Sequence, residues 1–296
     1  SNLFNFEFED LDIQETTLRQ GNLTEKIAVV HLDGAIMDLG TGGFFEQNDY
    51  KTVIRLLEKA FNDKTVEGIV FKVDSPGGGV YETAEIHRTI VEGLEETDNP
   101  FYVSMGNMAA SGGYYVAAPA DKIFANPSTI TGSIGVIMES VNFTGLAEKY
   151  GVTFNTIKSG KHKDIMSSTR EMTEEEEEIL QSMIDEMFDE FVRVIAEGRN
   201  LDEKRVREIG DGRIYTGKQA KEIDLVDEIG NLDDTIDQMM ADHNLEDASV
   251  VEYGSTTGFF ASFGMQVLSY FNNNTEIDVI QKLLQESDRP RAYYIY

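Results

Sequence analysis

From Lys26 onward, short apolar runs alternate with amphipathic stretches. Ile27–Leu32, Gly68–Val73, Phe101–Met105, Lys122–Ala125 and Ile134–Ile137 are mostly apolar at successive positions, as in strands covered on both faces of a sheet. Between them, Val53, Leu56, Leu57, Ala60 and Phe61 recur at helical spacing, as do Ile86, Ile90, Val91 and Leu94. Strands alternating with helices predict an α/β architecture. Residues 1–25 are polar and acidic apart from Phe4, Phe6 and Phe8, and read as an arm or a short edge strand. A polar, basic stretch over 158–170 reads as a loop. Thr173 with Glu176 three positions on is a capping-box pattern, which predicts a long helix with Ile179, Leu180, Met183, Ile184, Met187, Phe188, Phe191 and Ile195 on its apolar face. Shorter helical segments are expected over 202–209 and 217–223. With no internal repeat and no low-complexity linker, the expected organisation is an arm (1–25), one compact domain (26–240) and a C-terminal extension (241–296). The extension closes on an apolar, locally basic tail from Arg289 to Tyr296.

Charge and composition narrow the classes of function. In 296 residues, 25 Lys and Arg face 54 Asp and Glu, a formal net charge of −29. Such a field repels phosphate backbones, so no nucleic-acid partner is expected. The absence of Cys removes disulfides, thiolate metal sites and cysteine nucleophiles together. With four His in the chain, a His-rich metal centre would need nearly all of them, and neither metal nor cofactor is expected. The acidic run Glu174–Glu178 suits a solvated first helical turn and lacks the spacing of a calcium loop. No apolar run reaches the roughly 18 residues needed to span a bilayer. The sequence opens at Ser1-Asn2 without an initiator Met, so an upstream export signal or anchor is expected to have been removed.

Three glycine-marked stretches are candidates for chemistry. Asp74-Ser75-Pro76-Gly77-Gly78-Gly79 joins a predicted strand to a predicted helix, where glycines let backbone N–H groups face a ligand. It lacks the ending of a P-loop and does not fit the dinucleotide fingerprint. Met108-Ala109-Ala110-Ser111-Gly112-Gly113-Tyr114-Tyr115 places a serine at the start of a helical run, as a helix cap or as a nucleophile favoured by the helix dipole. Thr131-Gly132-Ser133-Ile134-Gly135 reads as a small-residue turn entering a strand. A nucleophilic Ser111 needs a base. None of His31, His87, His162 and His243 carries a local pattern that marks it as a triad member. The other candidates are Lys158, Lys161 and Lys163, because burial of an amine disfavours its charged form and makes it a base.

Taken in order, these stretches resemble the signal peptide peptidase A family. The matching pieces are Asp74-Ser75-Pro76-Gly77-Gly78, Ala109-Ala110-Ser111-Gly112-Gly113-Tyr114, Thr131-Gly132-Ser133-Ile134-Gly135 and Ser159-Gly160-Lys161-His162-Lys163-Asp164. Asp211-Gly212-Arg213-Ile214-Tyr215-Thr216-Gly217-Lys218-Gln219-Ala220 and Leu225-Val226-Asp227-Glu228-Ile229-Gly230 extend the likeness to about Gly230. The length is similar to the short bacterial form with one catalytic domain. The resemblance implies a Clp protease/crotonase-like fold, with repeated β-β-α units and a helical C-terminal portion. It also implies a Ser–Lys dyad peptidase. Position by position, Ser111 matches the nucleophile and Lys163 the general base, leaving Lys158 and Lys161 as bystanders. Ser133 matches the serine that orients the lysine, and the N–H groups of Gly78 and Gly112 match the oxyanion hole.

The resemblance further implies a homo-oligomer, expected to be an octamer, whose active sites take serine and lysine from neighbouring protomers. Its substrates would be remnant signal peptides and other apolar peptides, and its catalytic domain would lie outside the cytoplasm on a membrane anchor. Two other functions compete. One is a crotonase-like acyl-CoA hydratase or isomerase, which would need a carboxylate base and a positively charged nucleotide pocket. The other is a catalytically silent oligomeric scaffold, against which Ser111 and Lys163 both count. The apolar tail, residues 292–296, is expected to fit an apolar peptide groove, its own or a neighbour's.

Overall fold

A computed structural model describes residues 13–39, 49–255 and 292–296. Strand β1 (Ile13–Arg19) precedes β2 (Asn22–Asp33), and the first helix, α1 (Tyr50–Asn62), leads to β3 (Val66–Ser75). The short β4 (Gly77–Gly79) then runs directly into α2 (Val80–Glu96). Next come β5 (Phe101–Ala110), α3 (Gly112–Ala117), β6 (Lys122–Ala125) and β7 (Ile130–Gly132). After α4 (Thr144–Lys149) stands the long α5 (Glu174–Arg199), followed by α6 (Glu203–Ile209), β8 (Ile214–Thr216) and α7 (Gly217–Glu222). The chain continues through β9 (Glu228–Ile229), α8 (Leu232–His243) and β10 (Ala248–Ser255), and the tail contributes β11 (Tyr293–Ile295).

The main sheet has the order β1-β10-β2-β3-β5-β6-β9, with β7 pairing β5 and β8. Its centre is parallel: β10, β2, β3, β5 and β6 all run the same way. Side chains of a strand alternate between faces, and β2 divides accordingly. Ala28, Val30 and Leu32 join the larger core with Leu57, Ile86, Tyr115 and Phe191, whereas Ile27 and Val29 pack with Ile236 and Met239 of α8. Helices therefore cover both faces, which is why the central strands read as unbroken apolar runs. Asp49 caps α1 through its bond from Lys51 N–H (2.8 Å), and the predicted capping box of Thr173 and Glu176 opens α5.

The sheet reaches beyond residues 26–240 at both ends. β1 is its edge strand, and β10 is inserted between β1 and β2. Among the described residues no helix is long and apolar enough to cross a membrane. One predicted strand is corrected. Ile134–Ile137 forms no strand, and the extended segment lies earlier, at β7. Gly132 (φ 79°) and Ser133 (φ 50°) are both left-handed, which ends β7 before the apolar run begins. That run leaves the sheet, and Ile137 meets the tail instead.

Candidate active site

Strands β3, β5 and β7 converge on Ser111. Ala109 pairs with Ser75 on one side and Thr131 on the other, and Ala110 pairs with Gly132. Ser111 follows with φ 53° and ψ −117°, a conformation that costs a non-glycine residue roughly 1–3 kcal/mol. Main-chain bonds over-determine it. Its N–H donates to Gly132 O at 2.8 Å, and its carbonyl accepts from Tyr114 and Tyr115 N–H at 2.9 and 3.0 Å. Its Oγ is buried and has no hydrogen-bond partner among the described residues. A capping serine would accept from an amide of the first turn, and Ser111 makes no such bond. Capping therefore does not explain this serine.

Beside it lies β4, flanked by two other segments. On one edge Ile36 N–H donates to Gly77 O (2.8 Å) and Gly79 N–H to Ile36 O (2.9 Å). On the other edge the tail runs antiparallel, with Tyr294 opposite Gly78. Val80 N–H donates to Ala292 O (3.3 Å), and Tyr296 N–H to Pro76 O (2.9 Å), on either side of that pair. Hydrogen-bonded pairs alternate along an antiparallel ladder, so Gly78 N–H faces the Tyr294 carbonyl oxygen. The far edge of the tail exchanges bonds between Tyr293 and Ile137 (2.9 and 3.0 Å). The tail is thus a peptide held in extended form on both edges.

Glycines leave room for its backbone. A Cβ at Gly77 (φ 94°) would collide with the Tyr294 carbonyl oxygen and come within 2.6 Å of Gly112 N. A Cβ at Gly112 would stand 3.1 Å from that same oxygen. One peptide carbonyl is therefore ringed by the backbone of Gly77, Gly78 and Gly112, next to the residue whose hydroxyl is unbonded. Ser133 lies on the β7 side, buried, with its N–H donated to Arg213 O at 2.8 Å.

The Tyr294 side chain is buried, with its ring 5.1 Å from Tyr115 and 4.7 Å from Phe191, and its hydroxyl donates to Met187 O (2.9 Å). Burial raises the phenols of Tyr294 and Tyr115 above their ordinary range. His87 closes the back of this pocket, edge-on to Tyr115 at 5.1 Å. Burial first, and then the charge of Arg193, push it down to about 4. Between pH 6.5 and 4 the unfolded chain therefore binds a proton that the folded chain refuses, and stability falls as pH drops through that window. The loss amounts to about 3 kcal/mol. His87→Phe, which keeps the ring contact without the titration, should flatten this part of the curve in urea unfolding at pH 7 and pH 4. An unchanged pH dependence would refute the assignment.

The loop 158–170 carries a network of charges. Arg170 bridges Asp164 (2.9 Å) and the buried Glu176 (2.6 Å), while Lys158 reaches Asp164 (2.6 Å). Arg170 chiefly holds both carboxyls well below the usual range. Lys161 pairs with Glu175 at 2.5 Å. Lys163 differs from both lysines. It is exposed, and its Nζ has no hydrogen bond or ion pair among the described residues. The structure therefore brings Ser111, Gly112, Gly78 and Ser133 together, and among the described residues Lys163 Nζ bonds to none of them. None of the four His hydrogen-bonds Ser111, since its Oγ has no partner among the described residues. His162 lies against Glu175 and Glu176, His31 pairs with Glu252, and His243 stands by Tyr102 OH (3.2 Å).

A model of peptidase family S49 matches residues 94–246. A protein of Enterococcus faecium named after signal peptide peptidase SppA is 42% identical over 294 residues, 96% of this chain and 85% of its own length. The chain belongs to peptidase family S49. The S49 fold is Clp protease/crotonase-like, which the parallel-centred sheet with helices on both faces matches. Protease 4 of Haemophilus influenzae is 34% identical over 78% of this chain, spanning 37% of its own length. The chloroplastic serine protease SPPA of Arabidopsis thaliana is 30% identical over 74% of this chain and 33% of its own. This S49 member is accordingly a serine protease of the SppA type, which sets aside the acyl-CoA reading. The sequence reading did not find the aromatic pocket of Tyr115 and Phe191, the Arg170 bridge, or Ile36. Tyr115 and Phe191, and Ile36 and Gly77, are far apart along the chain, while Arg170 meets Asp164 and Glu176 six residues away through a loop that carries no periodicity.

Proposed function

We propose that this S49 protease is a Ser–Lys dyad endopeptidase that cleaves apolar peptides bound in extended form along β4. One observation carries the reading: a peptide carbonyl, that of Tyr294, rests among Gly77, Gly78 and Gly112 beside the buried, unbonded hydroxyl of Ser111. Ser111 Oγ attacks the substrate carbonyl carbon while its proton passes to Lys163 Nζ. The oxyanion accepts from Gly78 and Gly112 N–H, each such donor contributing roughly 3 kcal/mol. The lysine then gives its proton to the leaving amine as the C–N bond breaks, and water it activates hydrolyses the acyl-enzyme. Ser133 orients the lysine. No metal or cofactor takes part.

The lysine comes from a neighbouring copy, in a ring-shaped assembly that we take to be an octamer. Three features support this: among the described residues Ser111 Oγ has no partner and Lys163 is exposed and unbonded, and the segment leading to that lysine exposes Val141, Leu146, Tyr150, Phe154 and Ile157. Remnant signal peptides are the substrates this groove suits, because its Tyr115–Phe191 pocket takes a large apolar side chain. We place the catalytic domain at the outer face of the bacterial membrane. Hydrolysis of an apolar fluorogenic peptide by the assembled protein, and its absence in Ser111→Ala, tests the reading. A correctly assembled protein that cleaves nothing would favour the silent scaffold.

In this reading the tail occupies the place of substrate. A tethered occupant competes at an effective concentration of about 1 mM, so deleting residues 292–296 should raise kcat/KM for a short peptide roughly tenfold if the tail binds with a Kd of about 0.1 mM. If activity and oligomer size are both unchanged by the deletion, the tail does not compete.

A further inference from the structure

Thr83 is a helical threonine whose hydroxyl does not make the back-bond that Thr89, Thr97 and Thr235 make; Thr144, at the first position of α4, is also unbonded but only half-buried. Thr89 Oγ1 donates back to Glu85 O (3.0 Å), Thr97 to Gly93 O (2.8 Å) and Thr235 to Asn231 O (2.8 Å). This back-bond to the residue four positions earlier is the usual outlet for a hydroxyl on a helix. Thr83, in the first turn of α2, does not make it. The residue is wholly buried and its Oγ1 has no hydrogen-bond partner among the described residues. Leaving a buried hydroxyl unbonded costs about 1–3 kcal/mol, and such a group calls for an explanation.

Its direction supplies one. Thr83 Oγ1 lies 2.8 Å from the position a Cβ on Gly112 would take, and the Tyr294 carbonyl oxygen lies 3.1 Å from the same position. The hydroxyl and the peptide carbonyl thus flank one small space on the Gly112 side of the groove. With the planar carbonyl in place the hydroxyl is still unbonded. A donor that finds no partner in the ground state and gains one as charge develops lowers the barrier itself rather than merely tightening binding. The relevant distance is to where the oxyanion will be, not to the ground-state oxygen.

We propose that Thr83 is a further catalytic residue of this protease. Its hydroxyl donates a third hydrogen bond to the oxyanion, beside those from Gly78 and Gly112, once the carbonyl carbon becomes tetrahedral. This rests on the Ser–Lys peptidase reading above. The bond is made only in the tetrahedral state, so the effect falls on kcat and leaves KM alone.

The test compares Thr83→Val, which keeps the shape and removes the hydroxyl, with Thr83→Ser, which keeps the hydroxyl. The assembled protein is assayed on an apolar fluorogenic peptide, with Ser111→Ala measured beside them. Thr83→Val should lower kcat on the order of 10²-fold with KM within about twofold. Its Tm should not fall, since an unbonded buried hydroxyl has been removed, and Thr83→Ser should retain most of kcat. An apolar tripeptide aldehyde gives a second readout. Ser111 Oγ bonds its carbonyl carbon and the resulting oxygen takes the oxyanion's place, so its inhibition constant should rise in Thr83→Val in step with the loss of kcat. A Thr83→Val enzyme with wild-type kcat and aldehyde affinity overturns the proposal while leaving the peptidase reading intact. Equal losses in Thr83→Val and Thr83→Ser, with lowered Tm, assign Thr83 to packing and overturn it too. If Ser111→Ala cleaves as well as wild type, the peptidase reading fails and the role of Thr83 falls with it.

Discussion

Ser111→Ala and Lys163→Ala each lower peptide hydrolysis by on the order of 10⁴-fold or more, and mixing the two silent proteins restores part of the activity. The first half follows from the division of labour in an acyl-enzyme mechanism. Without the hydroxyl there is no nucleophile, and without the amine nothing takes its proton, so the double variant should be no worse than either single one. The second half follows from the geometry. Among the described residues Ser111 Oγ is buried without a partner, while Lys163 is exposed on a separate loop without one. If neighbouring copies complete each other's sites in a closed ring, random exchange at equal amounts gives about a quarter of sites both intact groups. Recovery near that fraction, after dissociation and reassembly, is the expected result. Full assembly with no recovery would assign the dyad to a single chain. Full activity in Lys163→Ala would remove Lys163 as the base and turn attention to Lys158, Lys161 and His162.

Gly77→Ala should lower kcat/KM by roughly 10²- to 10³-fold in a protein that still folds and assembles. Two effects combine at this position. The backbone is left-handed, with φ 94°, which strains any residue that has a Cβ. The added methyl would also occupy the place of the bound peptide's carbonyl oxygen and press on Gly112 N. Because the colliding atoms are backbone on both sides, no side chain can swing away to make room. The strain costs stability by only about 1–2 kcal/mol, whereas the blocked carbonyl site removes the positioning on which catalysis depends. Steady-state kinetics with circular dichroism and sizing on the same sample separate the two effects. Activity within threefold of wild type would mean that substrate carbonyls do not bind where Tyr294 O lies.

Much of this was legible along the chain, for reasons that particular residues make plain. The apolar runs of β2, β3, β5 and β6 reveal a sheet buried on both faces, because such strands need no alternating polar side. Thr173 and Glu176 announce the start of α5, because a cap is a local exchange of two hydrogen bonds over three residues. The short strands were harder to see. β7 and β8 each have three residues, too few for any periodicity. Ile134–Ile137 has the composition of a strand but is diverted by the two left-handed residues before it. Nor was α8 marked in advance, since most of its surface is acidic and only Thr235, Ile236 and Met239 are buried.

The candidate site divides in the same way. Ser111, Gly112, Gly77, Gly78 and Ser133 sit in glycine-marked turns whose order is visible in the sequence, because tight turns and close backbone approach demand small residues at fixed places. Nothing local marks Thr83. A threonine in a first helical turn is ordinary, and only its missing back-bond and its position beside Gly112 distinguish it. The same holds for the Tyr115–Phe191–Tyr294 cluster, assembled from three segments, and for Arg170, whose partners Asp164 and Glu176 are each six residues away.

By itself, then, the sequence determined the α/β class, the family, the long helix, the turns of the site and the residue types that can do acyl-transfer chemistry. All of these depend on local conformational preference or on the order of short motifs. Tertiary structure alone decided that the tail lies along β4 with Tyr294 O among the glycines, that Ser111 Oγ is buried without a partner among the described residues, and that Lys163 Nζ is exposed and does not bond to it. The reason is physical: an unbonded group, a shared pocket and a pair that does not bond are relations between residues distant in the chain, and they exist only once folding has fixed the distances.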